Sequence, residues 1–380
     1  MESISDTSTL SKPIVGVLTS SRNIRRLQQQ KTNDKYSLLT KANKVANTTL
    51  YFFCYKDIIY HNKTIVGTYY DEEMKKWKRM IFPVPDILYN RGSRSSYNVM
   101  KAVTSLHSDE MKVINSVAGF SKWDVYKRLV KNKKLQPFLP LTKFFSNASD
   151  ISKEDFKKII KEKRRIYVKA VQGSRGKKVV RVEKIRNGYC FSHFNNQLTS
   201  VHAKNKKEVL TLLKDFFGSR SVIVQEGIDL LELDEQFIDM RAELQRNGQG
   251  ELEVVAIPVR VGQKSSPIST HGDSFTFEDF YKIILSYSEE EVVELRKKLD
   301  DVLKLFYKAL EKEYGPFGEL GIDIALDKDG NIWYIECNAQ SAKKSFLSAY
   351  DNETIERSFQ NILEYAKYLY REKKKKIQTL

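Results

Sequence analysis

Short apolar runs alternate with amphipathic stretches in the first third of the chain, and this pattern predicts an α/β unit. Residues 13–18 form an apolar run ending in Thr-Ser-Ser-Arg, which is typical of a buried strand followed by a polar turn. Aromatic and β-branched residues are concentrated at 50–60 and 64–70, which favours two further strands, and a helix is predicted at 71–78. Strands alternating with helices indicate a parallel sheet, so we expect an α/β domain over 1–117.

The pattern after this unit predicts two further regions. A helix, a strand at 165–171, a glycine-containing turn and a second strand indicate a small α+β module over 118–222. The remainder, 223–380, combines apolar strands with amphipathic helices predicted at 289–313 and 353–371.

Composition narrows the possible classes of protein. The chain has 380 residues, 41% of them hydrophobic, and such an apolar fraction excludes general disorder. Three widely spaced cysteines and five scattered histidines predict neither a disulfide scaffold nor a zinc signature. There is no apolar run of about 18–20 residues that could span a bilayer. The amino-terminal residues contain no apolar signal segment, so we expect a cytoplasmic protein.

The net charge of +17 is the most unusual property of the composition. Lysines spread over the surface are the favoured interpretation, and attraction to polyanions is the alternative. The basic runs at 157–165 and 371–376 have no interleaved aromatic residues for base stacking, so nucleic-acid binding is disfavoured. The second run reads as a solvated tail.

A lysine at a strand end precedes the first stretch that suggests chemistry. Lys169 is followed by a turn that contains Gly173, Ser174 and Gly176. Glycines let backbone N–H groups approach an anion, and the lysine adds a positive charge, so the turn could cover phosphates. The spacing is not that of a P-loop, and a strand follows instead of a helix. An ordinary basic hairpin is the alternative.

The second stretch predicts a hairpin that carries acidic residues. If 328–329 form a two-residue turn, Asp323 lies opposite Tyr334, and Glu336 is its diagonal neighbour about 7–8 Å away at the backbone. Strand alternation then places Asp323, Tyr334, Glu336 and Asn338 on one face. Carboxylate and amide oxygens suit Mg²⁺. The alternative, carboxylates simply ending a strand in solvent, fits poorly with the apolar neighbours.

Two intervening strands add weaker signals. The strand at 222–228 ends in Glu226 and a glycine, and its backbone could meet an adenine edge. Further on, Asp239 and Arg241 are two residues apart on a predicted strand, so they share a face. They form either a structural ion pair or, with Arg241 turned to a ligand, a phosphate or oxyanion contact.

The order of these motifs resembles the ATP-grasp superfamily of carboxylate–amine and carboxylate–thiol ligases, over roughly 118–345. The segments PIVGVLTS, ILYNR and VQEGIDL…FIDMRAELQ resemble the YheC/YheD-type, endospore coat-associated members. The resemblance implies an α/β and α+β ATP-grasp fold. Residues 1–117 would be the N-terminal pre-ATP-grasp domain, 118–222 the small lid subdomain, and 223–380 the C-terminal antiparallel-sheet subdomain with the metal-binding hairpin and the basic tail.

The resemblance also implies roles for individual residues. ATP would be contacted by one set: Lys127 and Lys169 at the phosphates, Gly173, Ser174 and Gly176 in the lid, and Gln225, Glu226, Ile228 and Asp229 in the hinge, with Glu235 an alternative to Asp229 at the ribose. Asp323, Glu336 and Asn338 would hold Mg²⁺ or Mn²⁺. Arg241 and Arg260 would be catalytic, at the reacting phosphoryl and acyl groups. The acceptor loop at 268–274 departs from related ligases, and His271 there is either a substrate contact or simply exposed.

These roles imply an ATP-dependent ligase that joins a carboxylate to an amine through an acyl phosphate. The substrate could be an acidic peptide or a spore-coat protein. A kinase acting on a small molecule and a nucleotide-binding scaffold without turnover remain alternatives. Phosphorylated product rather than amide would identify the kinase.

Overall fold

Three β-sheets organise the chain. The computed structural model describes residues 12–92, 97–106, 111–162, 164–173, 178–195, 197–264, 266 and 272–378. The sheets follow one another in sequence, with seven, six and seven strands in the part described. No helix in these ranges is both long and apolar enough to cross a membrane.

The first sheet has a parallel centre, in the order β2-β1-β6-β7. Its strands are β1 (Ile14–Leu18), β2 (Thr49–Phe53), β3 (Ile58–Ile59), β4 (Thr64–Asp71), β5 (Lys76–Pro83), β6 (Ile87–Asn90) and β7 (Lys112–Ile114). Strand β1 is almost entirely buried, which agrees with its uninterrupted apolar sequence.

The helix predicted at 71–78 is wrong. The chain instead turns after Asp71 and returns as β5, which pairs with β4 over its whole length. Trp77 packs against Tyr70 and Phe52, with ring centroids 5.3 and 5.5 Å apart. These cross-strand aromatic contacts outweigh the local helical pattern.

The second sheet is antiparallel, in the order β12-β11-β10-β9-β13-β8. Its strands are β8 (Thr142–Phe145), β9 (Arg165–Ala170), β10 (Val179–Ile185), β11 (Gly188–Asn195), β12 (Gln197–Ala203) and β13 (Val222–Glu226). Its apolar face forms one core with two helices that carry Phe156 and Phe217.

The third sheet is also antiparallel and carries most of the candidate site. Its strands are β14 (Glu232–Leu233), β15 (Gln236–Arg246), β16 (Leu252–Ala256), β17 (Val259–Val261), β18 (Asp273–Phe275), β19 (Glu319–Leu326) and β20 (Ile332–Asn338). One face of β15 and β19 is apolar and packs in the largest core. The opposite face carries charged side chains, as the alternation of a strand requires.

Ten α-helices surround the sheets in the described ranges. They are α1 (Ser21–Gln28), α2 (Asp34–Ala46), α3 (Tyr97–Leu106), α4 (Lys122–Leu129), α5 (Lys153–Glu162), α6 (Lys206–Phe217), α7 (Phe277–Asp279), α8 (Glu289–Tyr314), α9 (Lys344–Ala349) and α10 (Asn352–Gln378). A capping box between Ser288 and Glu291 starts α8, because each side chain satisfies the other's backbone N–H.

The last helix returns to the beginning of the chain. Ile355, Phe359 and Ile362 of α10 lie in the same core as Val15 and Leu39 of the first sheet and α2. The amino-terminal sheet is therefore stabilised by the carboxyl-terminal helix.

Candidate active site

The β19–β20 hairpin places three oxygen-bearing side chains on one face. Asp323 lies directly opposite Glu336, and Asn338 lies opposite Gly321, two residues further along β19. Cys337, between them, faces the apolar core. The face shared by Asp323, Glu336 and Asn338 is therefore the one that alternation predicts, although their roles as metal ligands stay a prediction.

The register of this hairpin differs from the predicted one. Its turn is longer than two residues, because the N–H of Asp327 donates to the carbonyl of Asn331. A β-bulge then shifts the pairing, so that Ile324 opposes Tyr334 and Asp323 opposes Glu336. Tyr334 consequently lies in the core, and its expected place beside Asp323 is wrong.

Two arginines hold the carboxylate of Asp323. Arg241 is its neighbour on β15 and donates to both oxygens, through Nε and, at 2.7 Å, Nη2. Arg260 Nη2 lies 3.4 Å from Oδ2. Burial opposes ionisation of Asp323, but the two guanidinium groups outweigh it and hold the pKa of this carboxyl below its usual range.

The alternative pairing of Asp239 with Arg241 along one strand is not formed. Asp239 instead accepts two hydrogen bonds from Arg260, at 2.5 and 2.6 Å, across the β15–β17 pair. Both predicted catalytic arginines are thus fixed by cross-strand carboxylates. Each arginine binds its carboxylate through Nε and Nη2, so the Nη1 of each arginine keeps its N–H donors for a ligand.

Lys169 lies near the end of β9, beside the hairpin. Its Nζ donates to Gln225 Oε1 at 2.7 Å, and Gln225 Nε2 donates to Thr142 Oγ1 at 3.0 Å. Burial lowers the pKa of Lys169 to about 8, with Glu336 acting in the opposite direction. Lys169 has no direct carboxylate partner among the described residues, so it is suited to an incoming anion.

Lys122 is a site residue that the sequence analysis missed. At the first turn of α4, its Nζ lies 3.5 Å from Glu336 and donates to the carbonyl of Gly173 at 3.2 Å. The backbone N–H of Lys122 donates to the carbonyl of Val171, which anchors the start of α4. Lys127, the lysine predicted for this helix, is more than half exposed and pairs with Asp124 instead.

The predicted hinge connects β13 with the third sheet. Glu226 pairs with Leu141 through both its side chain and its backbone, at 2.7 and 3.0 Å. The carbonyl of Ile228 accepts from Leu230, and that of Asp229 accepts from Lys328 at the hairpin turn. The hinge therefore runs from the second sheet to the tip of the β19–β20 hairpin. Its contacts with a nucleotide stay a prediction.

The described part of the lid ends at Gly173. Ser174, Gly176 and His271 lie outside the described residues. Glu235, the alternative ribose contact, is exposed and lies 3.7 Å from Lys264.

The donor set on the hairpin fits Mg²⁺. Asp323 and Glu336 supply carboxylates, and the Nδ2 of Asn338 is buried without a hydrogen-bond partner in the described part of the chain. Because Nδ2 only donates, it fits an acceptor such as a phosphate oxygen, while the amide Oδ1 would be the ligand of the metal. Asp323 Oδ1 keeps a second lone pair after pairing with Arg241, whereas Oδ2 faces both Arg241 and Arg260. No cluster of three His, Cys, Asp or Glu residues forms a metal site within the described ranges, so phosphate oxygens or water would complete the shell.

The segment after Asn338 links the site to the first sheet. Arg91, at the end of β6, donates to Glu319 and, at 3.1 Å, to the carbonyl of Ser341. Lys343 Nζ lies 3.4 Å from Glu319 and 3.5 Å from Glu243. The Lys343 and Glu319 side chains are buried, and Arg91 with Lys343 keeps the pKa of Glu319 below its ordinary value despite its burial.

Solved structures with a similar architecture define the fold. D-alanyl-alanine synthetase A from Vibrio cholerae O1 biovar eltor is 10% identical, with a TM-score of 0.52 over 93% of this chain and 99% of that one. The ATP-grasp ligase PsnB complexed with minimal precursor is 13% identical, with a TM-score of 0.54 over 93% of this chain and 99% of that one. The fold is that of the ATP-grasp proteins.

Sequence comparison identifies the family. The model of the YheC/D-like ATP-grasp family matches residues 110–369, and the chain belongs to this family. The endospore coat-associated protein YheD of Bacillus subtilis (strain 168) is 26% identical over 94% of this chain and 79% of its own length. The endospore coat-associated protein YheC of the same organism is also 26% identical, over 82% of this chain and 85% of its own length.

Proposed function

We propose that this protein is an ATP- and Mg²⁺-dependent ligase that joins a carboxylate to an amine. The observation that carries the proposal is the grouping of Lys122 and Lys169 near Glu336, with Asp323 and Asn338 on the same face. Cations and hard oxygen donors in one place are what a metal-bound triphosphate requires. Membership of an ATP-grasp family supports the same reaction class.

The proposed reaction has two steps. A carboxylate oxygen of the substrate attacks the γ-phosphorus of ATP, and the bond to ADP breaks to give an acyl phosphate. An amine then attacks the acyl carbon, the carbon–oxygen bond to phosphate breaks, and the amine proton passes to phosphate or water. Arg241 and Arg260 would stabilise the tetrahedral oxyanion, while bound Mg²⁺ would neutralise phosphate charge.

The proposed substrates are a peptide or protein carboxylate and a small amine. PsnB, whose fold this chain resembles, is described with a precursor, and the curated relatives are named for the endospore coat. We propose an acidic peptide or a coat protein as the carboxylate substrate, in the cytoplasm of a spore-forming cell.

Mass spectrometry of the products tests the proposal. The protein is incubated with Mg-ATP, acidic peptides and a mixture of amino acids, and ADP, phosphate and peptide masses are followed together. A peptide that gains an amino-acid mass with equal release of ADP and phosphate supports a ligase. A peptide or small molecule that gains phosphate identifies a kinase, and no ADP release with any substrate favours a scaffold. Glu336→Gln is the matched inactive control.

A further inference from the structure

A basic groove lies on the second sheet, at the strand ends opposite Lys169. It has a volume of about 500 Å³ and is formed where the β10–β11 turn, the β12–α6 connection and the start of α5 meet. Six cationic side chains line it: Lys153, Lys184, Arg186, Lys204, Lys206 and Lys207. We call this the lid groove.

Among the residues that the structure describes, no Asp or Glu lines the lid groove and none of its six cations has an ion pair. Glu208, which lies beside the lining, is held by the backbone N–H of Lys204 and by Asn205 Nδ2, at 2.8 and 3.1 Å. Six cationic side chains therefore face one neighbouring carboxylate that pairs with none of them. Other exposed lysines do pair, such as Lys143 with Asp155 and Lys298 with Glu294. The six positive charges around this groove repel one another, and an anionic partner would reduce that repulsion.

The neighbouring edge strand favours a polypeptide as that partner. β12 pairs only with β11 among the described strands, so its outer backbone groups face solvent. Its sequence, Gln-Leu-Thr-Ser-Val-His-Ala, has none of the lysines, acids or prolines that usually protect an edge. Leu198 and Val201 on it are more than a third exposed. An extended peptide could pair along this edge and reach Lys204, which follows β12 directly.

Nucleic acid fits the lid groove less well. Single strands need exposed aromatic side chains on which bases stack. Tyr189 is the one aromatic residue in the described lining, and it is only 7% exposed because it packs in the core below. We therefore propose that the lid groove and the β12 edge together dock an acidic polypeptide segment, at the end of the sheet away from Lys169.

Fluorescence anisotropy with a labelled peptide of alternating Glu and Thr residues tests this proposal. The groove variant is Lys184→Glu, Arg186→Glu and Lys206→Glu combined. Its matched control is Lys297→Glu, Lys308→Glu and Lys312→Glu on α8, which are exposed and change the net charge equally. We expect the groove variant to bind the peptide at least about tenfold more weakly than the control does. Binding should weaken with salt, and a Gln–Thr peptide should not bind.

The outcomes separate the possibilities. Equal losses in both variants would show that net charge alone attracts the peptide, and no binding to the unmodified protein would also overturn the proposal. A labelled oligothymidylate that binds more tightly than the peptide, and is lost in the groove variant, would overturn it in favour of nucleic acid. Melting curves confirm that both variants are folded. No nucleotide is present, so the result does not depend on whether the chain is a ligase.

Discussion

Glu336 is the residue whose proposed role in the site can be tested with the least effect on folding. Its side chain is about a third exposed and lies 3.5 Å from Lys122, so it contributes little to folding. Beside Asp323 it supplies half of the carboxylate charge on the proposed metal face.

Glu336→Gln should therefore remove metal-dependent nucleotide binding and leave the fold intact. We expect the increase in Tm that Mg²⁺ adds to a non-hydrolysable ATP analogue to disappear, since the amide holds the ion poorly. Without nucleotide, the free energy of unfolding should change by less than about 1 kcal/mol. Glu313→Gln, an exposed glutamate paired with Arg128, is the control and should keep the Mg²⁺ response. A full Mg²⁺ response in Glu336→Gln would contradict the metal assignment.

Lys169 gives the site a pH dependence near pH 8. Because burial lowers its pKa to about 8, it carries its charge below that pH and loses it above. The affinity for Mg-ATP, measured by calorimetry from neutral to alkaline pH, should decrease with a midpoint near this pKa. Lys169→Arg keeps the charge throughout and should abolish the step. An unchanged step in the arginine variant would assign it to another group.

The lowered pKa of Lys169 has the opposite effect on stability: the free energy of unfolding should increase with pH while the affinity for Mg-ATP decreases. In the unfolded chain Lys169 has its ordinary, higher pKa, so between the two pKa values the unfolded state binds more protons. The penalty for burying this charge is fully present below about pH 8 and is relieved as pH rises. Below about pH 8, where Lys169 carries the charge that we propose for triphosphate binding, burial of that charge makes the free protein less stable.

At the scale of the element, the hairpin turn is organised by one carboxylate. Asp327 accepts hydrogen bonds from the backbone of Asp329 and Asn331, at 3.0 and 2.8 Å, and from Trp333 Nε1 at 2.8 Å. Partial burial opposes its ionisation, but the bonds from Trp333 and Asn331 prevail and lower the pKa of Asp327.

Asp327→Ala should destabilise the protein by roughly 1–3 kcal/mol in urea unfolding at neutral pH, because several donors lose their acceptor. The contribution of the carboxylate is present above the ordinary aspartate pKa of about 3.9 and is lost as the pH falls through the lower folded-state pKa. The difference from the wild type should shrink accordingly in acid. Asp329→Ala, at an exposed neighbouring turn position, should have a small effect at both pH values.

Local patterns predicted most elements and the face shared by the three proposed metal ligands. The alternation of Asp323, Glu336 and Asn338 with apolar neighbours was sufficient to predict that they share a face, because successive side chains of a strand point to opposite faces. The bulge was not predictable, because it depends on how β20 meets β19. The missing helix at 71–78 has the same cause: Trp77 finds its partners on other strands.

The choice between two lysines on α4 shows the limit most clearly. Lys122 and Lys127 are five residues apart and so point to different sides of a helix. The contact of the Lys122 backbone with Val171 and the packing of Val125 and Leu129 in the core determine which side of α4 meets the candidate site. The sequence predicts that a lysine of α4 meets the site, and tertiary packing determines that this lysine is Lys122.

At the scale of the whole molecule, ion pairs of two kinds join the amino-terminal and carboxyl-terminal parts of the chain. Arg91 pairs with the fully buried Glu319 of the third sheet, whereas Lys41 and Glu356 join α2 to α10 at the surface. Both pairs connect the amino-terminal part of the chain to the carboxyl-terminal part, so they form a matched comparison.

Arg91→Met should destabilise the protein by about 3–5 kcal/mol, because it leaves the buried Glu319 without its strongest partner. Lys41→Met should cost less than about 1 kcal/mol. Adding Glu319→Gln to Arg91→Met should recover part of the loss, which a double-mutant cycle in chemical denaturation measures. Additive effects of the two substitutions would indicate that the pair is not coupled in solution.

Because of the bulge at Ile335, deletion of one residue from β20 need not change the face that each remaining side chain occupies. If Ile335 alone were deleted, Tyr334 would still oppose Ile324 and Glu336 would still oppose Asp323, now in an unbroken ladder. Deleting Trp333 would instead move Ile332, the first residue of β20, to the opposite face, unless the bulge slipped to absorb the change. Because of the extra residue, the length of β20 before the bulge can change by one residue without turning Glu336 and Asn338 away from the proposed metal face.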